Sequence, residues 1–546
     1  MSRSRREPQQ SQPFAPSALP QRAGIHAAMQ FLLAMIVYRF AASVRLMDAD
    51  EGHFLSAVRS VYNGLNPFQD FFFQQTPLFP YPYALAMRIF GYGYEQCLWV
   101  SILCGAGLAV VTAAFYARGG RSAWFGWIGW WMVVANAQTF FWTPMVKNHA
   151  LPLFCGATAL WAASRRCESA RPAFGWGALS GFAAIWCVGS RLPALPLSAA
   201  AALWIVGRAV WPGRPRGAWM SVAGFAVGAM PPLLLALRSL YPDPWRAWFD
   251  VVEFHRSRSA GGTYGDWNTI SVELIVLARQ AQFPFMLLIA LIAVFAALMS
   301  PPAAVEGSSS PSSPSSRGEA RVALYLALFG IAAAVWSLLP RQTFHQYFMV
   351  PLVLFWFAAL PLWRFLLRAE PRRVLRGLGV LLLACYAFGV TNHQERIFPD
   401  CWGRGPVERM SAALAAHTSP QDEVLSTWQG FTFMAQRRDL PGNENFNART
   451  IADKITAEEA RRVRIASNSD LAAVVLAAKP RAIVTGFFSG PTNYPGVPPI
   501  FYRWLYLPVR GRDGVPRMQM RAEITRNYHK VDVPDQDYHE LWVRNQ

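Results

Sequence analysis

The sequence predicts a mainly α, polytopic helical membrane protein with a small α/β domain at its C-terminal end. Three observations carry this. Of 546 residues, 53% are hydrophobic and only 15% are charged, and a soluble chain of this length would divide into several domains with far more charged surface. The apolar residues gather in blocks of about 17–23, the length at which a helix crosses a bilayer. After Trp402 that pattern stops, and short strand-like and helix-like segments replace it.

The net charge of +19 comes from 51 Lys+Arg against 32 Asp+Glu. In a soluble protein such an excess points to nucleic acid. Here the basic residues sit in short turns between apolar blocks, so the positive-inside rule accounts for them and no nucleic-acid partner is expected. The seven cysteines form no CxxC pair, and most lie inside apolar blocks, where cysteine acts as a small hydrophobe. None follows Trp402, so no disulfide framework or zinc site is expected there. The first apolar block starts near Gly24 and lacks a small-residue cleavage site, so no cleavable signal peptide is expected.

Taken in order, residues 1–23 read as a basic, Pro-rich, disordered cytoplasmic tail. Residues 24–395 read as a transmembrane domain of about eleven helices, near 25–46, 96–117, 122–141, 148–164, 174–190, 192–209, 218–240, 281–299, 322–339, 347–364 and 377–392. Turns rich in arginine (Arg118 and Arg121, Arg165 and Arg166, Arg208 to Arg216, the Ser/Pro-rich linker after Pro301, and Arg364 to Arg376) alternate with poorer ones, which puts the arginine-rich set and the N-terminus in the cytoplasm. The long loops 47–95 and 241–280 then face outward, with the domain 403–546. Within that domain "DEVLSTW", "RAIVTGFF" and "YHELWVRN" read as strands, and "SDLAAVVLAAKP" as a helix capped by Ser/Asp and ended by proline.

The first outer loop opens with "LMDADEGHFLSAVRSVYNG". From Asp50, the residues Phe54, Leu55, Val58, Val61 and Tyr62 mark one face of an amphipathic helix, with His53, Ser56, Arg59, Ser60 and Asn63 opposite. Such a helix is expected to lie flat on the outer membrane surface. Asp48 and Glu51 have the spacing of a capping box, and acids in a first turn suit the helix dipole. Capping does not require Asp50.

"DEGHFLSAVRSVYNGLNPFQDF" followed by "QTPLFPYPYAL" resembles the first outer loop of the GT-C glycosyltransferases, in the branch of protein O-mannosyltransferases and lipid A aminoarabinose transferases. The shared elements are Asp50-Glu51, the Gly64 to Pro67 turn, and Pro77-Leu78 ahead of a second surface helix. "RQTFHQYFMVPLVLFW" is similar to the stretch opening a late span in those proteins, and the tail resembles the soluble C-terminal region of some bacterial members.

The resemblance implies an inverting transfer of a sugar from a polyprenyl-phosphate carrier to a glycan, lipid or protein acceptor, at the outer face of the bacterial inner membrane. It implies that Asp50 takes the acceptor's proton, with Glu51 orienting it or binding the acceptor. A leaving polyprenyl phosphate needs cations or hydrogen-bond donors. The branch places an Arg at the position of His53 and a Lys near Gln75 or Thr76, and this chain has neither.

Other residues at the outer edge are therefore the expected substrate contacts: Lys147, His149, Arg191, Arg341, His345 and Tyr347, with His53, Asp70 and Gln75 from the loop. For Lys147, Arg191 and His345 the plainer alternative is a side chain snorkelling to the headgroups. For Asp70 it is a turn residue. Arg256 and Arg258 sit beside the Gly-rich "SAGGTYG", which reads as a lid or a simple loop. His53, His149, His255, His345 and His393 map to the same edge. With Asp50, Glu51 and Asp70 they offer donor atoms for a divalent metal, but no i, i+4 His pair or HExxH motif is present, so no cofactor is required.

Two other functions fit a multi-span, outward-facing chain: a lipid-linked glycan ligase or polymerase, and a transporter. The first usually carries its main loop late, and the second places ionisable residues at mid-membrane; here the acids come early and at the outer edge.

Overall fold

The computed structural model describes residues 19–45, 47–120, 122–165, 167–210, 215–259, 282–299, 316–338, 345–368, 372–388, 403–445, 447–448, 451–452, 454–485, 524–534, 536 and 539–546, with isolated positions 271 and 275. Residues 1–18, Arg341, His393, most of the Gly-rich stretch and nearly all of the Ser/Pro linker lie outside the described residues, while residues 19–23, expected to be disordered, are helical and lead into the first span.

The elements that build the membrane part are α1 (Leu19–Val44), α2 (Ala49–Tyr62), α3 (Pro80–Phe90), α4 (Tyr94–Gly120), α5 (Ala123–Val134), α6 (Ala137–Trp142), α7 (Ala150–Ala163), α8 (Ala170–Ser190), α9 (Leu195–Val210), α10 (Ala218–Leu240), α11 (Pro244–Trp248) and α12 (Phe254–Ser259), then helices Gln282–Met299, Ser316–Leu338, Met349–Ala358, Leu360–Arg368 and Arg372–Phe388. Each of the eleven expected spans holds helix. Among the described residues six helices are long and apolar enough to cross a membrane, and the pair Gln346–Ala358 and Leu360–Leu366, bent by 43°, has that length and composition when taken together. Shorter apolar helices, Ala123–Val134, Ala150–Ala163, Gln282–Phe295 and Arg376–Ala387, occupy the remaining four. The chain is a multi-pass membrane protein.

Two expected spans are broken, each with a local cause. Pro361 has no N–H to return to the preceding turn, so the late span bends ahead of it. The span predicted at 122–141 divides into α5 and α6 at Asn136. The Asn136 side chain caps α6 by accepting from the Gln138 and Thr139 amides. Gln282 serves the freed backbone on either side, accepting from Ala137 N at 2.6 Å and donating to Ala135 O at 2.8 Å. Backbone at membrane depth has to be satisfied inside the protein, and this amide does it.

α8 and α10 approach as closely as their backbones permit. Each carries a Gly-x-x-x-Gly repeat, Gly177/Gly181 and Gly224/Gly228. A Cβ at Gly181 would strike the Phe225 carbonyl, and one at Gly228 the Ala178 carbonyl. Without a hydrophobic drive between helices in lipid, such close packing is what joins them.

After residue 403 the chain forms a mixed five-stranded sheet flanked by helices. The strands are β1 (Glu423–Ser426), β2 (Arg438–Asp439), β3 (Ala482–Thr485), β4 (Tyr528–Val531) and β5 (Glu540–Arg544), in order β2-β1-β3-β5-β4. β1 is parallel to β2 and β3, whereas β5 is antiparallel to β3 and β4. Three strands fall where the sequence placed them. The expected helix runs Asn468–Leu476 from a capping box at Ser467 and ends before Pro480.

This region is not held apart from the membrane part. Trp428, Phe431 and Phe433 join one continuous core with Phe54, Leu55 and Val58 of α2. A smaller core brings together Phe72, Phe249 and Phe254 from the two outer loops with Ile451, Val463 and Ile465.

Candidate functional site

α2 forms as expected, but it does not lie with its polar face in water. His53, Ser56 and Ser60 are buried. The C-terminal region covers that face: Asp439 accepts from Ser56 Oγ at 2.7 Å and pairs with Arg59, and Thr432 also donates to it. A buried carboxylate with a cation and two hydroxyls leaves little unsatisfied charge. Gly52 makes the approach possible, since a Cβ there would lie 2.5 Å from Trp428 Nε1 and 3.1 Å from Gly430 N.

At the start of α2 the capping box is complete. Asp48 accepts from Asp50 N at 2.9 Å, and Glu51 Oε2 accepts from Asp48 N at 2.9 Å. Glu51 is fully buried. Arg45 meets it through two parallel 2.8 Å bonds, Tyr94 OH donates at 3.0 Å and Val146 N at 2.9 Å. Burial alone would raise this carboxyl, but the charge of Arg45 and the donated bonds outweigh it and hold Glu51 below the usual range. With every lone pair engaged, Glu51 ties α1, α2, α4 and the turn before α7 together.

Asp50 differs from its neighbour. Its side chain is 37% exposed, and Oδ2 lies 2.7 Å from Lys147 Nζ. The same ammonium is 3.0 Å from Asp48 Oδ1 and rests over the Trp142 ring at 4.7 Å. Burial by itself would lower Lys147, yet the two carboxylates raise it, so the ammonium is firmly charged. Burial raises Asp48, with Lys147 opposing.

Arg191, in the tight turn after α8, is 3% exposed. Its guanidinium meets His149 Nδ1 and the Asn148 carbonyl, and stands 5.2 Å from the Tyr347 ring. Among the described residues it makes no ion pair. Burial lowers it to about 10, with Tyr347 and Asp50 pulling the other way. Asn148 Nδ2 donates to Gln75 Oε1 at 2.8 Å. Lys147, His149, Arg191, Tyr347 and Gln75 thus form one linked group with Asp50. His53 Nδ1 is 4.0 Å from Asp50 Oδ1.

Other expected residues lie apart from this group or outside description. Asp70 is exposed and closes its own turn by accepting from Asn66 N at 2.7 Å. Arg341 lies outside the described residues. His345 begins the short 3-10 turn His345–Phe348, and its side chain is not described. Arg256 points into solvent, 81% exposed. No group of three or more His, Cys, Asp or Glu among the described residues is placed to hold a metal ion.

Sequence reasoning passed over Arg45, Tyr94, Gln74 and Asn447. Arg45 carried a usable signal, a lone cation at the end of a span just before an acidic cluster. Asn447 carried none: its amide reaches His53 Nδ1 at 3.4 Å from the far end of the chain.

No protein-family model matches the chain, and no curated protein does. Two solved structures resemble it over nearly its whole length. ArnT from Cupriavidus metallidurans in the apo state has a TM-score of 0.58 at 12% identity, covering 95% of this chain and 98% of its own. ArnT from the same organism bound to undecaprenyl phosphate has a TM-score of 0.57 at 12% identity, covering 96% and 98%. At that identity the likeness is one of architecture: the chain has the fold of ArnT.

Proposed function

We propose that the chain is an integral membrane glycosyltransferase, moving a hexosyl or pentosyl group from a polyprenyl-phosphate carrier to an acceptor on the extracytoplasmic face of the bacterial inner membrane. The observation that carries this reading is Arg191. A buried guanidinium without an ion pair among the described residues is costly unless an anion reaches it. It belongs to the same linked group as the half-open carboxylate of Asp50. The undecaprenyl phosphate bound to ArnT supports a lipid phosphate as that anion.

In this reading the donor phosphate sits against Arg191 and draws Lys147 toward itself. A carboxylate held by an ammonium is a poor proton acceptor, and losing Lys147 frees Asp50 to act as the base. The acceptor hydroxyl oxygen attacks the anomeric carbon and its proton passes to Asp50. The bond from that carbon to the phosphate oxygen breaks, and polyprenyl phosphate leaves with its charge neutralised by Arg191 and Lys147. One displacement inverts the anomeric centre. Glu51 positions α2 without touching the reacting atoms.

The test is transfer by the purified full-length chain from undecaprenyl phosphate carrying a radiolabelled sugar, in a bacterial envelope extract as acceptor source. The wild type is expected to label a product and Asp50→Asn to lose at least about 100-fold of that rate. Equal transfer by both proteins removes Asp50 from the chemistry. Labelled sugar crossing vesicles without glycoside formation replaces transfer with transport.

A further inference from the structure

A buried polar cluster lies beside Asp50, built from His53, Gln74 and Asn447. All three are buried. Gln74 Nε2 lies 3.4 Å from His53 Nε2, and Asn447 Nδ2 lies 3.4 Å from His53 Nδ1. A neutral imidazole has one donor nitrogen and one acceptor nitrogen, so it cannot accept from an amide on each side. Turning one amide over serves the ring N–H, but it moves that amide's NH2 away from the ring. Whichever way the Gln74 amide is turned, one end of it meets the ring and the other meets no partner among the described residues. As placed, that end is Gln74 Oε1, buried and without a hydrogen-bond partner among them.

A buried amide left half-satisfied is unfavourable unless a ligand or water completes it. The chemistry of the gap narrows the ligand. With Asn447 turned to serve the ring N–H, Gln74 keeps Oε1 as its open end, and a phosphate oxygen cannot fill an acceptor. An ammonium group would meet the positive charges of Lys147 and Arg191, and before a donor arrives the three acids at the start of α2 have cations of their own: Asp48 and Asp50 share Lys147, and Glu51 has Arg45. A hydroxyl donates and accepts, and suits an amide beside an imidazole. On the proposed function, which this rests on, the sugar of the donor lies within one ring of Asp50.

We infer that Gln74, supported by His53 and by Asn447 of the C-terminal region, reads a hydroxyl of an uncharged donor sugar and so sets donor specificity. The C-terminal region then supplies part of the sugar site.

The test is binding to the full-length chain in nanodiscs of bare undecaprenyl phosphate, of the same lipid carrying glucose, mannose, galactose or arabinose, and of the lipid carrying an amino sugar. The wild type is expected to bind at least one neutral-sugar lipid about tenfold more tightly than bare lipid, and the amino-sugar lipid less tightly than that one. Gln74→Met should erase the preference while leaving bare-lipid affinity unchanged, which also shows that the variant is folded; the isosteric Gln74→Glu should shift the preference toward the amino sugar. An unchanged preference in Gln74→Met, or an equal loss for bare and sugar-bearing lipid, overturns the inference. Failure of the wild type to bind bare undecaprenyl phosphate overturns the donor reading beneath it.

Discussion

Lys147 Nζ stands 2.7 Å from Asp50 Oδ2 and 3.0 Å from Asp48 Oδ1, so one buried ammonium bridges both carboxylates that frame the start of α2. The bridging lysine and the proton acceptor proposed above are therefore partners before any substrate arrives. Lys147→Met should weaken binding of undecaprenyl phosphate at least about tenfold, the loss of one charge-assisted contact. It should also lower the melting temperature, because Asp48 keeps its burial and loses its cation. Isothermal titration and thermal unfolding read the two effects separately.

Arg191→Lys is not a mild change. The lysine keeps the charge but loses the planar fork that meets His149 and the Asn148 carbonyl. The KM for a polyprenyl-phosphate donor should rise about tenfold or more with kcat changed less. An unaltered KM would separate Arg191 from the donor phosphate.

Glu51 and Asp50 are adjacent and should fail differently. Glu51→Gln breaks a buried, bidentate pair and should cost about 3–5 kcal/mol of stability. Asp50→Asn should leave the melting temperature nearly unchanged and abolish transfer. Thermal unfolding beside a transfer assay distinguishes an anchor from a base.

Gly52→Ala tests the docking of the C-terminal region. The new methyl would lie 2.5 Å from Trp428 Nε1, and Gly430 N is 3.1 Å away. Overpacking of this kind costs about 1–3 kcal/mol. Limited proteolysis should cut the C-terminal region faster in the variant, with the membrane part intact.

Glu444 should make that docking pH-dependent. Part of the residue stays open to solvent, yet burial of its carboxyl, with the nearby Asp439 charge adding, raises it from an ordinary 4.5 to about 7. A carboxyl raised in the folded state binds more protons folded than unfolded, so stability falls as pH rises between those values. Glu51 has the opposite sign and acts only at lower pH. The melting temperature should therefore rise by a few degrees from pH 8 to pH 5.5, and Glu444→Gln should flatten that slope.

The sequence by itself determined whatever depends on local pattern. Apolar blocks of bilayer length placed helix in every expected span. The Asp48/Glu51 spacing made the capping box. Short apolar runs gave β1, β3 and β5, and the first-loop motif pointed to the fold. These are legible because backbone hydrogen bonding in lipid and one-face burial act over a few neighbouring residues. Tertiary structure alone decided which acid stays partly open to solvent. Asp50 and Glu51 are neighbours on one helix turn, and the capping spacing marks Glu51 without saying which of the two is buried. Arg45, Tyr94 and Val146 converge on Glu51 and leave Asp50 to Lys147. Likewise an amphipathic period predicts a polar face of α2 turned to water, and only the long-range arrival of Asp439, Trp428 and Asn447 buries it. Such contacts join residues hundreds of positions apart, and no periodicity records them.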